Sequence, residues 1–496
     1  MKRLFVYAAF LLVCLLPLLT QAQPKPGYVW QKPTDPKVLE RLEEWQDIKF
    51  GLLMHWGTYS QWGIVESWSL CPEDWGWCER RMGTNPQCFF TYKQEYENLK
   101  LTFNPVGFEP ERWAEAAYRA GMKYVVFTTK HHDGFSMWDT DYTDYRITSP
   151  LVPFHRNPRA DVTRAIFDEF RAKGIWAGVY FSKADWNSPY YWHPYWPPFD
   201  RNVNYDPAVY PEKWENFVQF THNQIMELMT EYGDIRILWL DGGWVQKMTP
   251  EQIKAAYLRQ IEQYPSGFIK SRIVNQDIRM DELVKRAREK QPGLIVVDRA
   301  VEGPNQNYLT PENYVPGLHL GVPWESCIIS GGSWSWIPDP NYLTPRQVVQ
   351  TLVDIVAKGG NLLLNIAPGP DGRWDPAAYT MLEGVGKWMD VNSEAIYKTR
   401  PFAPFVVDNV RFTRRRDTQM VYAIVLPEEN QETIPSVVEI KGVSPHQNAR
   451  INLLGAPGNL RWQRTADGIN IFIPARLQST PPNKEAWAFR ISRVNE

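Results

Sequence analysis

The stretch Ile235-Arg236-Ile237-Leu238-Trp239-Leu240-Asp241-Gly242-Gly243 decides the fold of this 496-residue chain. It is a short apolar run that ends in one carboxylate and two glycines, and a run of this length predicts a buried strand. In a barrel of parallel strands, active sites lie at the carboxyl ends of the strands. Asp241 is therefore the first residue to which chemistry is assigned.

Five other stretches repeat this pattern of an apolar run that ends in polar side chains. The predicted strands are 49–57, 124–130, 176–182, 294–299 and 361–366. Helical patterns separate them at 36–46, 110–120, 161–172, 211–232, 249–264, 280–290, 344–358 and 376–394. Alternation of strands and helices is typical of a parallel sheet covered by helices. The sequence therefore predicts an α/β fold with a (β/α)8-like, TIM-type barrel.

The pattern changes near residue 401 to short strands separated by turns rich in Gly, Pro, Asn and Asp. These strands are predicted at 410–414, 419–426, 436–441, 449–454, 468–474 and 486–492. Such spacing indicates an all-β module, and we expect a β-sandwich. The predicted boundaries are a signal peptide at 1–22, the barrel at 23–398 and the C-terminal β-sandwich at 399–496.

The N-terminus has the three parts of a secretion signal. Lys2 and Arg3 provide the charge, the segment 4–19 is mostly apolar, and Thr20-Gln21-Ala22 offers small residues for cleavage. The predicted location is therefore periplasmic or extracellular. Lipidation at Cys14 is the second choice, because Val13 is not the small residue that such a site prefers.

Composition excludes some partners and points toward others. With 54 basic and 56 acidic residues, the net charge of −2 gives no electrostatic reason to expect nucleic acid or an anionic membrane. The chain is rich in aromatic residues, with 23 Trp, 24 Tyr and 22 Phe. Most of these rings belong in a large core, but rings can also stack on the C–H faces of sugars.

A long irregular loop is predicted at 58–104, and it contains three of the four cysteines that remain after signal cleavage. These are Cys71, Cys78 and Cys88, and the fourth is Cys327. An exported protein can oxidise such a pair. The loop lacks a histidine and the spacings fit no common zinc pattern. One disulfide or free thiols are therefore preferred over a metal.

Polar residues gather at the predicted strand ends, and a common rim is hard to explain by packing. The set consists of His55, His131, His132, Asp133, Tyr180, Asp241, Asp298 and Arg299. A single histidine is more often a hydrogen-bonded structural residue, but the shared location favours function here.

Several chemistries are disfavoured by the spacing of these residues. His131 and His132 are adjacent, and on an extended strand neighbouring side chains point to opposite faces, so we expect no metal site. A Gly-x-Ser-x-Gly nucleophile elbow is not found at a strand end. Gly359-Gly360 precedes a strand rather than a helix, which argues against a phosphate loop. We expect no cofactor.

Carboxylates among neutral polar groups and aromatic rings suit glycoside hydrolysis. Asp241 is the expected nucleophile, and Arg299 would hold its pKa down. The second carboxylate is left open by spacing alone. The alternatives are Glu302, Glu312 and Glu325, all predicted to lie in the loop after the strand of Arg299, and Asp298.

The chain resembles the α-L-fucosidases of glycoside hydrolase family 29. The longest matching stretches are Lys130-His131-His132-Asp133-Gly134-Phe135 and Lys358-Gly359-Gly360-Asn361-Leu362-Leu363-Leu364-Asn365. The others are Lys49-Phe50-Gly51, His55-Trp56-Gly57, Trp239-Leu240-Asp241, Val297-Asp298-Arg299 and Thr310-Pro311-Glu312. They occur in the order of the family and span almost the whole barrel region.

The resemblance implies a retaining enzyme that removes α-linked L-fucose through a covalent intermediate on Asp241. It implies Glu312 as acid/base, because of its Thr-Pro-Glu context, with Glu302 second and Glu325 third. The implied fucose-binding residues are His55, Glu66, Trp68, His131, His132, Tyr180, Trp239, Arg299 and Trp334. In the Glu66-Ser67-Trp68 stretch, one residue separates a glutamate and an aromatic residue that are paired in the family.

The expected partner is a fucosylated oligosaccharide or glycoconjugate. One alternative is the same mechanism on α-L-galactosides or on fucose within sulfated polysaccharides. Another is a carbohydrate-binding protein on an inactive barrel, against which the presence of both Asp241 and Glu312 argues. The sequence leaves the fucosyl linkage, the aglycone and the oligomeric state open.

Overall fold

Seven parallel strands form one curved sheet in the region predicted as a barrel. The computed structural model describes residues 30–72, 78–263 and 272–495, so the predicted signal peptide and Cys14 lie outside the described residues. The strands are β1 Phe50–Met54, β2 Tyr124–Lys130, β3 Trp176–Ser182, β4 Ile235–Asp241, β5 Ile295–Asp298, β6 Trp324–Ile329 and β7 Gly360–Asn365. Their order across the sheet is β5-β4-β3-β2-β1-β7-β6. The predicted α/β fold class is confirmed.

An irregular segment, residues 305–313, lies between the two edge strands β5 and β6. On one side the N–H of Asp298 donates a 2.9 Å hydrogen bond to the carbonyl of Asn305. On the other side the N–H of Glu325 donates a 2.8 Å hydrogen bond to the carbonyl of Leu309. The segment thus occupies the eighth position of the barrel, and it supplies backbone partners to edges that would otherwise lack them.

Helices surround the sheet, most of them on its outer face, and their ends follow local capping chemistry. They are α1 Pro36–Ile48, α2 Phe89–Glu97, α3 Pro110–Arg119, α4 Val162–Ala172, α5 Pro211–Glu231, α6 Pro250–Gln263, α7 Met280–Lys290, α8 Pro345–Ala357 and α9 Pro376–Asn392. The Asp161 side chain caps α4 by accepting from the N–H of Arg164, and Thr344 with Gln347 forms a capping box at α8. Among the described residues, no helix has the length and apolar character needed to cross a membrane.

The interior of the barrel is a separate apolar cluster that supports the strand ends. It contains Leu53, Tyr124, Trp239, Tyr308 and Cys327 among its members. A larger cluster packs the outer face of the sheet against the helices. Because the strands are buried on both faces, their side-chain directions are fixed by packing on each side.

The C-terminal region forms two antiparallel sheets around its own core. The strands are β8 Thr399–Val407, β9 Val410–Arg415, β10 Val421–Val425, β11 Val437–Lys441, β12 Ile451–Leu453, β13 Arg461–Arg464, β14 Gly468–Phe472 and β15 Trp487–Ile491. A short helix, α10 Ala475–Ser479, precedes the last strand. The sheets have the orders β12-β15-β10-β9-β8 and β11-β14-β13. Strands β8 and β13 were not predicted; β13 has no buried residue, so its sequence lacks an apolar face.

Two predictions about loops are wrong. In the described part of the loop predicted at 58–104, the structure has α2 and short 3-10 turns at Thr58–Gln61, Trp68–Leu70 and Asn98–Leu101. Glu325 does not lie in a loop, because it is on strand β6. That strand was missed because Glu325 and Ser326 interrupt its apolar pattern, although both are buried. Cys71, Cys78, Cys88 and Cys327 are not joined by disulfide bonds in the structure, which agrees with the thiol form, one of the two preferred alternatives.

Candidate active site

A cavity of about 450 Å³ opens at the carboxyl ends of the strands. Most of the predicted site residues line it, and His132 lies behind its wall. Those that line it are His55, Glu66, Trp68, His131, Tyr180, Trp239, Asp241, Arg299, Glu302, Glu312 and Trp334. Residues separated by more than two hundred positions thus meet in one concave site, which is where a barrel with this strand direction places its chemistry.

Asp241, the last residue of β4, is held as an ionised carboxylate. Its Oδ2 accepts a 2.6 Å hydrogen bond from the Tyr180 hydroxyl, and its Oδ1 accepts a 2.7 Å bond from the N–H of Gly242. Burial by itself would raise the pKa of Asp241, but Arg299 and these two hydrogen bonds outweigh burial and hold the pKa well below its usual range. Asp241 is therefore available as a nucleophile or as an anionic partner.

The two glycines after Asp241 allow a backbone conformation and a close chain contact that other residues would not. Gly242 has φ +83°, in the left-handed region that favours glycine. A Cβ on Gly243 would lie 2.7 Å from the carbonyl oxygen of Arg299. The role predicted for this pair was space for a ligand, and Gly243 does line the cavity. The tighter steric limit on a side chain at position 243 is the carbonyl of Arg299, which follows β5.

Arg299 joins the two carboxylates of the site. Its Nη1 lies 3.5 Å from Oδ1 of Asp241, and its Nη2 pairs with Oε2 of Glu312. The indole N–H of Trp334 donates a 3.2 Å hydrogen bond to Oε1 of Glu312. The guanidinium also lies over the ring of Trp239, at 5.2 Å from its centroid. One planar group therefore fixes both carboxyl groups relative to each other.

His55 is a neutral imidazole whose tautomer is set by its neighbour. Its Nδ1 lies 2.9 Å from Oδ1 of Asn365, and the Asn365 amide nitrogen donates a 2.8 Å hydrogen bond to the carbonyl of Trp334. Since that orientation makes Oδ1 the acceptor, Nδ1 of His55 carries the proton. Burial lowers the pKa of His55 to about 4. Its Nε2 is therefore a lone pair available to accept a hydrogen bond.

The tautomer of His132, which lies behind the cavity wall, is also set by its neighbours. Its Nδ1 lies 2.6 Å from the hydroxyl of Ser182, and that hydroxyl donates its own hydrogen to the carbonyl of Ala184 at 2.7 Å. His132 must therefore donate from Nδ1, which leaves Nε2 as a lone pair. Burial lowers the pKa of His132 to about 3. Its Nε2 lies 3.9 Å from Oδ2 of Asp241, so two acceptors face each other.

The expectation that His131 and His132 point to opposite faces is wrong. Strand β2 ends at Lys130, the chain turns at this point, and the two ring centroids are 4.1 Å apart. Ligand-type atoms of His131, His132 and Asp241 all lie within 4.8 Å of one another. That set has the donor types for a divalent metal ion, and it equally suits hydroxyl groups that donate to lone pairs. The absence of a metal stays a prediction.

Glu66 is a buried acid that faces the cavity. It is 1% exposed, and among the described residues neither carboxyl oxygen has a hydrogen-bond partner. Burial and the nearby Glu312 raise the pKa of Glu66 well above its usual range. Burial therefore favours the protonated form of Glu66, which can donate a hydrogen bond to a ligand. Ser67 bonds to Nδ1 of His131, and the Trp68 ring packs edge-on against His132 at 4.9 Å.

The remaining acidic candidates occupy different positions. Glu302 is exposed and lines the cavity. Glu325 is fully buried inside the barrel, where it accepts hydrogen bonds from the Tyr124 hydroxyl at 2.5 Å and the Trp239 indole at 3.2 Å. Asp298 forms a buried ion pair with Lys183.

Asp133 accepts a 2.8 Å hydrogen bond from the Tyr96 hydroxyl and is buried. Neither Asp133, Asp298 nor Glu325 is among the residues that line the cavity. The common rim predicted for the strand ends therefore holds for His55, His131, Tyr180, Asp241 and Arg299, with His132 directly behind it, but not for these carboxylates.

Some residues of the site were missed by the sequence reasoning. Asn365 ends β7, so the rule of polar residues at strand ends was available to find it. Ser182 ends β3 in the same way. Arg201, Trp244 and Tyr314 also line the cavity, but they lie in loops whose sequences carry no such signal.

A parallel barrel with paired carboxyl groups, neutral histidine acceptors and tryptophan faces at its strand ends defines a glycoside hydrolase. Comparison with known families agrees. The α-L-fucosidase model matches residues 18–394, and the α-L-fucosidase C-terminal domain model matches residues 404–492. The chain belongs to the α-L-fucosidase family, as the sequence resemblance predicted.

Similar proteins span nearly the whole chain. A tissue α-L-fucosidase from Mus musculus is 28% identical over 474 residues, covering 92% of this chain and 92% of that protein. The tissue α-L-fucosidase from Homo sapiens is 28% identical over 496 residues, covering 96% and 94%. The solved α-L-fucosidase isoenzyme 1 from Paenibacillus thiaminolyticus has a TM-score of 0.70 and 26% identity, covering 93% of this chain and 100% of that one.

Proposed function

We propose that this protein is a retaining exo-α-L-fucosidase that removes terminal α-L-fucosyl residues through a covalent intermediate on Asp241. The observation that carries the proposal is the contact of one Arg299 guanidinium with both Asp241 and Glu312. Retaining enzymes need two carboxyl groups about 5–5.5 Å apart, one as nucleophile and one as acid/base. A shared arginine is a simple way to hold that separation.

In the first step, Asp241 attacks the anomeric carbon while Glu312 donates a proton to the leaving oxygen. Asp241 is prepared for attack, since Tyr180 and Gly242 hold its two oxygens. Glu312 is exposed enough to take up that proton from solvent. In the second step, Glu312 removes a proton from water, and the water attacks the fucosyl–Asp241 ester.

Recognition of fucose follows from the donors and acceptors of the cavity. The Nε2 lone pair of His55 accepts from a sugar hydroxyl, and the protonated form of Glu66 donates to one. The C5 methyl group of a 6-deoxy sugar needs an apolar wall, which Trp239 and Trp334 offer. Burial disfavours the charged imidazolium form, so the buried imidazoles stay neutral. Neutral imidazoles suit an uncharged sugar.

Two solved relatives support the mechanism by analogy. A GH29 α-L-fucosidase from Bacteroides thetaiotaomicron was trapped as a covalent intermediate with 2-fluoro-fucosyl fluoride, and a Thermotoga maritima α-fucosidase was solved in complex with fucose. These chains are 21% and 23% identical to this one, so their likeness shows the shared fold. The mechanism here rests on the residues of this cavity.

The test uses Asp241→Ala and Glu312→Ala variants with an aryl α-L-fucoside and added azide. A nucleophile variant rescued by azide gives the β-fucosyl azide, whereas an acid/base variant gives the α-fucosyl azide through the intact intermediate. Glu302→Ala is the matched control and should retain activity. Unchanged turnover in Asp241→Ala overturns the nucleophile, and loss of activity in Glu302→Ala with retention in Glu312→Ala reverses the acid/base assignment.

An aryl α-L-galactoside in the same panel tests the alternative substrate.

We further propose that the chain is exported by cleavage after Ala22, which gives a mature protein that begins at Gln23. The basis is the charged start followed by the apolar segment 4–19. Mass spectrometry of the protein recovered from the periplasm or medium should give the mass from Gln23 onward. A lipid-modified product in the membrane fraction would favour the Cys14 alternative instead.

A further inference from the structure

The loop between β3 and α5, residues 183–210, has an unusual concentration of aromatic side chains. Its inner part lies against the cavity and its outer part faces solvent. The aromatic residues of the loop are Trp186, Tyr190, Tyr191, Trp192, Tyr195, Trp196, Phe199, Tyr205 and Tyr210. Because the loop leaves the carboxyl end of β3, it lies on the same face of the barrel as the candidate active site.

The inner part of the loop is continuous with the cavity wall through stacked rings. Trp186 packs against the cavity residue Trp68 with ring centroids 5.5 Å apart. Trp192 stacks on Trp186 at 5.0 Å with an interplanar angle of 6°. Arg201 of the same loop also lines the cavity. Trp186 and Trp192 are themselves buried, so their stacking fixes the loop against the cavity wall.

The outer part forms an aromatic ridge, which we define as His193, Tyr195, Trp196 and Tyr210. His193 stacks on Trp196 with centroids 4.1 Å apart, and Tyr210 lies 5.3 Å from Trp196. Tyr195 packs against His193 at 5.6 Å and is 85% exposed, while Tyr210 is 40% exposed. Clustered exposed rings of this kind mark binding surfaces rather than ordinary surface.

The ridge is held on a fixed backbone. The buried amide of Asn204 donates hydrogen bonds of 3.0 Å to the carbonyl of His193 and 2.6 Å to that of Trp196. Its Oδ1 accepts a 2.7 Å hydrogen bond from the N–H of His193. The backbone that carries the rings is therefore already ordered before a ligand binds, which lowers the entropic cost of binding.

We propose that the aromatic ridge is a second carbohydrate-binding site, which stacks sugar residues of the glycan chain that carries the fucose. In an exo-acting enzyme the terminal fucose occupies the cavity, so the rest of the glycan must lie outside its mouth. The ridge lies on the same loop as Arg201, which lines the cavity, so it is on a side of the mouth where that chain can leave. Aromatic faces suit the C–H faces of pyranose rings. This inference rests on the proposed function for the occupant of the cavity.

The kinetic test compares a small substrate with a long one. The double variant Tyr195→Ala/Trp196→Ala is assayed on an aryl α-L-fucoside and on a fucosylated lacto-N-tetraose pentasaccharide of a linkage that the wild type cleaves. We expect kcat/KM for the aryl fucoside to be unchanged, and kcat/KM for the pentasaccharide to fall about fivefold or more through KM. An equal fall for both substrates, or no fall for either, overturns the proposal.

The matched control is Tyr118→Ala. Tyr118 is 50% exposed, and it lies at the end of α3 that leads into β2, at the opposite face of the barrel from the cavity. This variant should leave both substrates unaffected. A size-exclusion profile of wild type and double variant adds a further outcome: an oligomer that dissociates in the double variant would show that the ridge is a subunit interface, and would overturn the glycan site.

A binding measurement separates this proposal from the proposed function. Lacto-N-tetraose without fucose is titrated into the Asp241→Ala variant, with and without the ridge substitutions, and binding is followed by ligand NMR. Binding that is lost only with the ridge substitutions supports the site even if the fucosidase assignment fails. If aryl fucoside is cleaved but the tetrasaccharide does not bind, the ridge proposal alone fails.

Discussion

The Nη1 nitrogen of Arg299 lies 3.5 Å from Oδ1 of Asp241, and the same guanidinium pairs with Glu312. A side chain at the end of β5 thus fixes both the expected nucleophile at the end of β4 and the expected acid/base on the segment that closes the barrel. The relative position of the two carboxyl groups is therefore a property of one arginine.

Substitution Arg299→Met tests this relationship. Without the guanidinium, burial raises the pKa of Asp241, so the carboxylate becomes protonated at a higher pH than in the wild type. We expect kcat/KM to fall about 100-fold or more, and its acid limb to move toward neutral pH by about one to three units. The pH profile of kcat/KM on an aryl fucoside is the measurement. Arg236→Met is the control, because Arg236 lies near the start of β4, at the opposite end of that strand from Asp241. An unmoved acid limb would contradict the role of Arg299.

Substitution Asn365→Asp tests the tautomer of His55. A carboxylate at 2.9 Å from Nδ1 raises the pKa of His55 above its value of about 4, so the ring becomes an imidazolium in mildly acidic solution. Its Nε2 then donates instead of accepting, and activity should be lost near pH 5–6 and recovered above about pH 7. Asn365→Leu removes the acceptor without adding charge. It should raise KM without shifting the pH profile, and a profile shift in both variants would refute the tautomer argument.

Substitution Glu325→Gln tests the acid inside the barrel. Burial raises the pKa of Glu325 from 4.5 to about 7. Because the folded protein holds this proton more tightly than the unfolded chain does, protonated Glu325 stabilises the fold fully at pH values below its unfolded pKa. This stabilisation is lost as the pH rises through the folded pKa. Glutamine keeps an acceptor for the Trp239 indole but does not titrate. The free energy of unfolding of the variant, relative to wild type, should therefore rise by about 3 kcal/mol between pH 4.5 and 8. Urea unfolding at several pH values would show parallel curves if Glu325 does not titrate in this range.

Substitution Lys183→Met tests the support beneath Arg299. Lys183 forms a buried ion pair with Asp298, and its Nζ donates a 2.8 Å hydrogen bond to the carbonyl of Val245. Removal of one partner leaves a buried charge without compensation, which costs about 3–5 kcal/mol of unfolding free energy. The double variant Lys183→Met/Asp298→Asn should recover part of this loss, as measured by urea unfolding. Additive losses in the double variant would show that the two residues are not coupled.

Much of the site could be predicted because its signal is local. An apolar run followed by a polar residue marks a strand and its end, which placed His55, Tyr180 and Asp241 on one rim. The same rule extends to Asn365. It failed at β6, because Glu325 sits within the strand and is accommodated by Tyr124 and Trp239 from strands distant in sequence. A buried acid with such partners has the same sequence signature as a solvated loop glutamate.

The sequence by itself determined the alternation of strands and helices, the family, and the residues at most strand ends, since these depend on periodicity and on motifs written along the chain. Only the tertiary structure decided which carboxylates share Arg299, which nitrogen of His55 and of His132 carries the proton, and which acids are buried away from the cavity. Those properties depend on distances between residues far apart in the chain, and on burial and hydrogen-bond partners that no local pattern encodes.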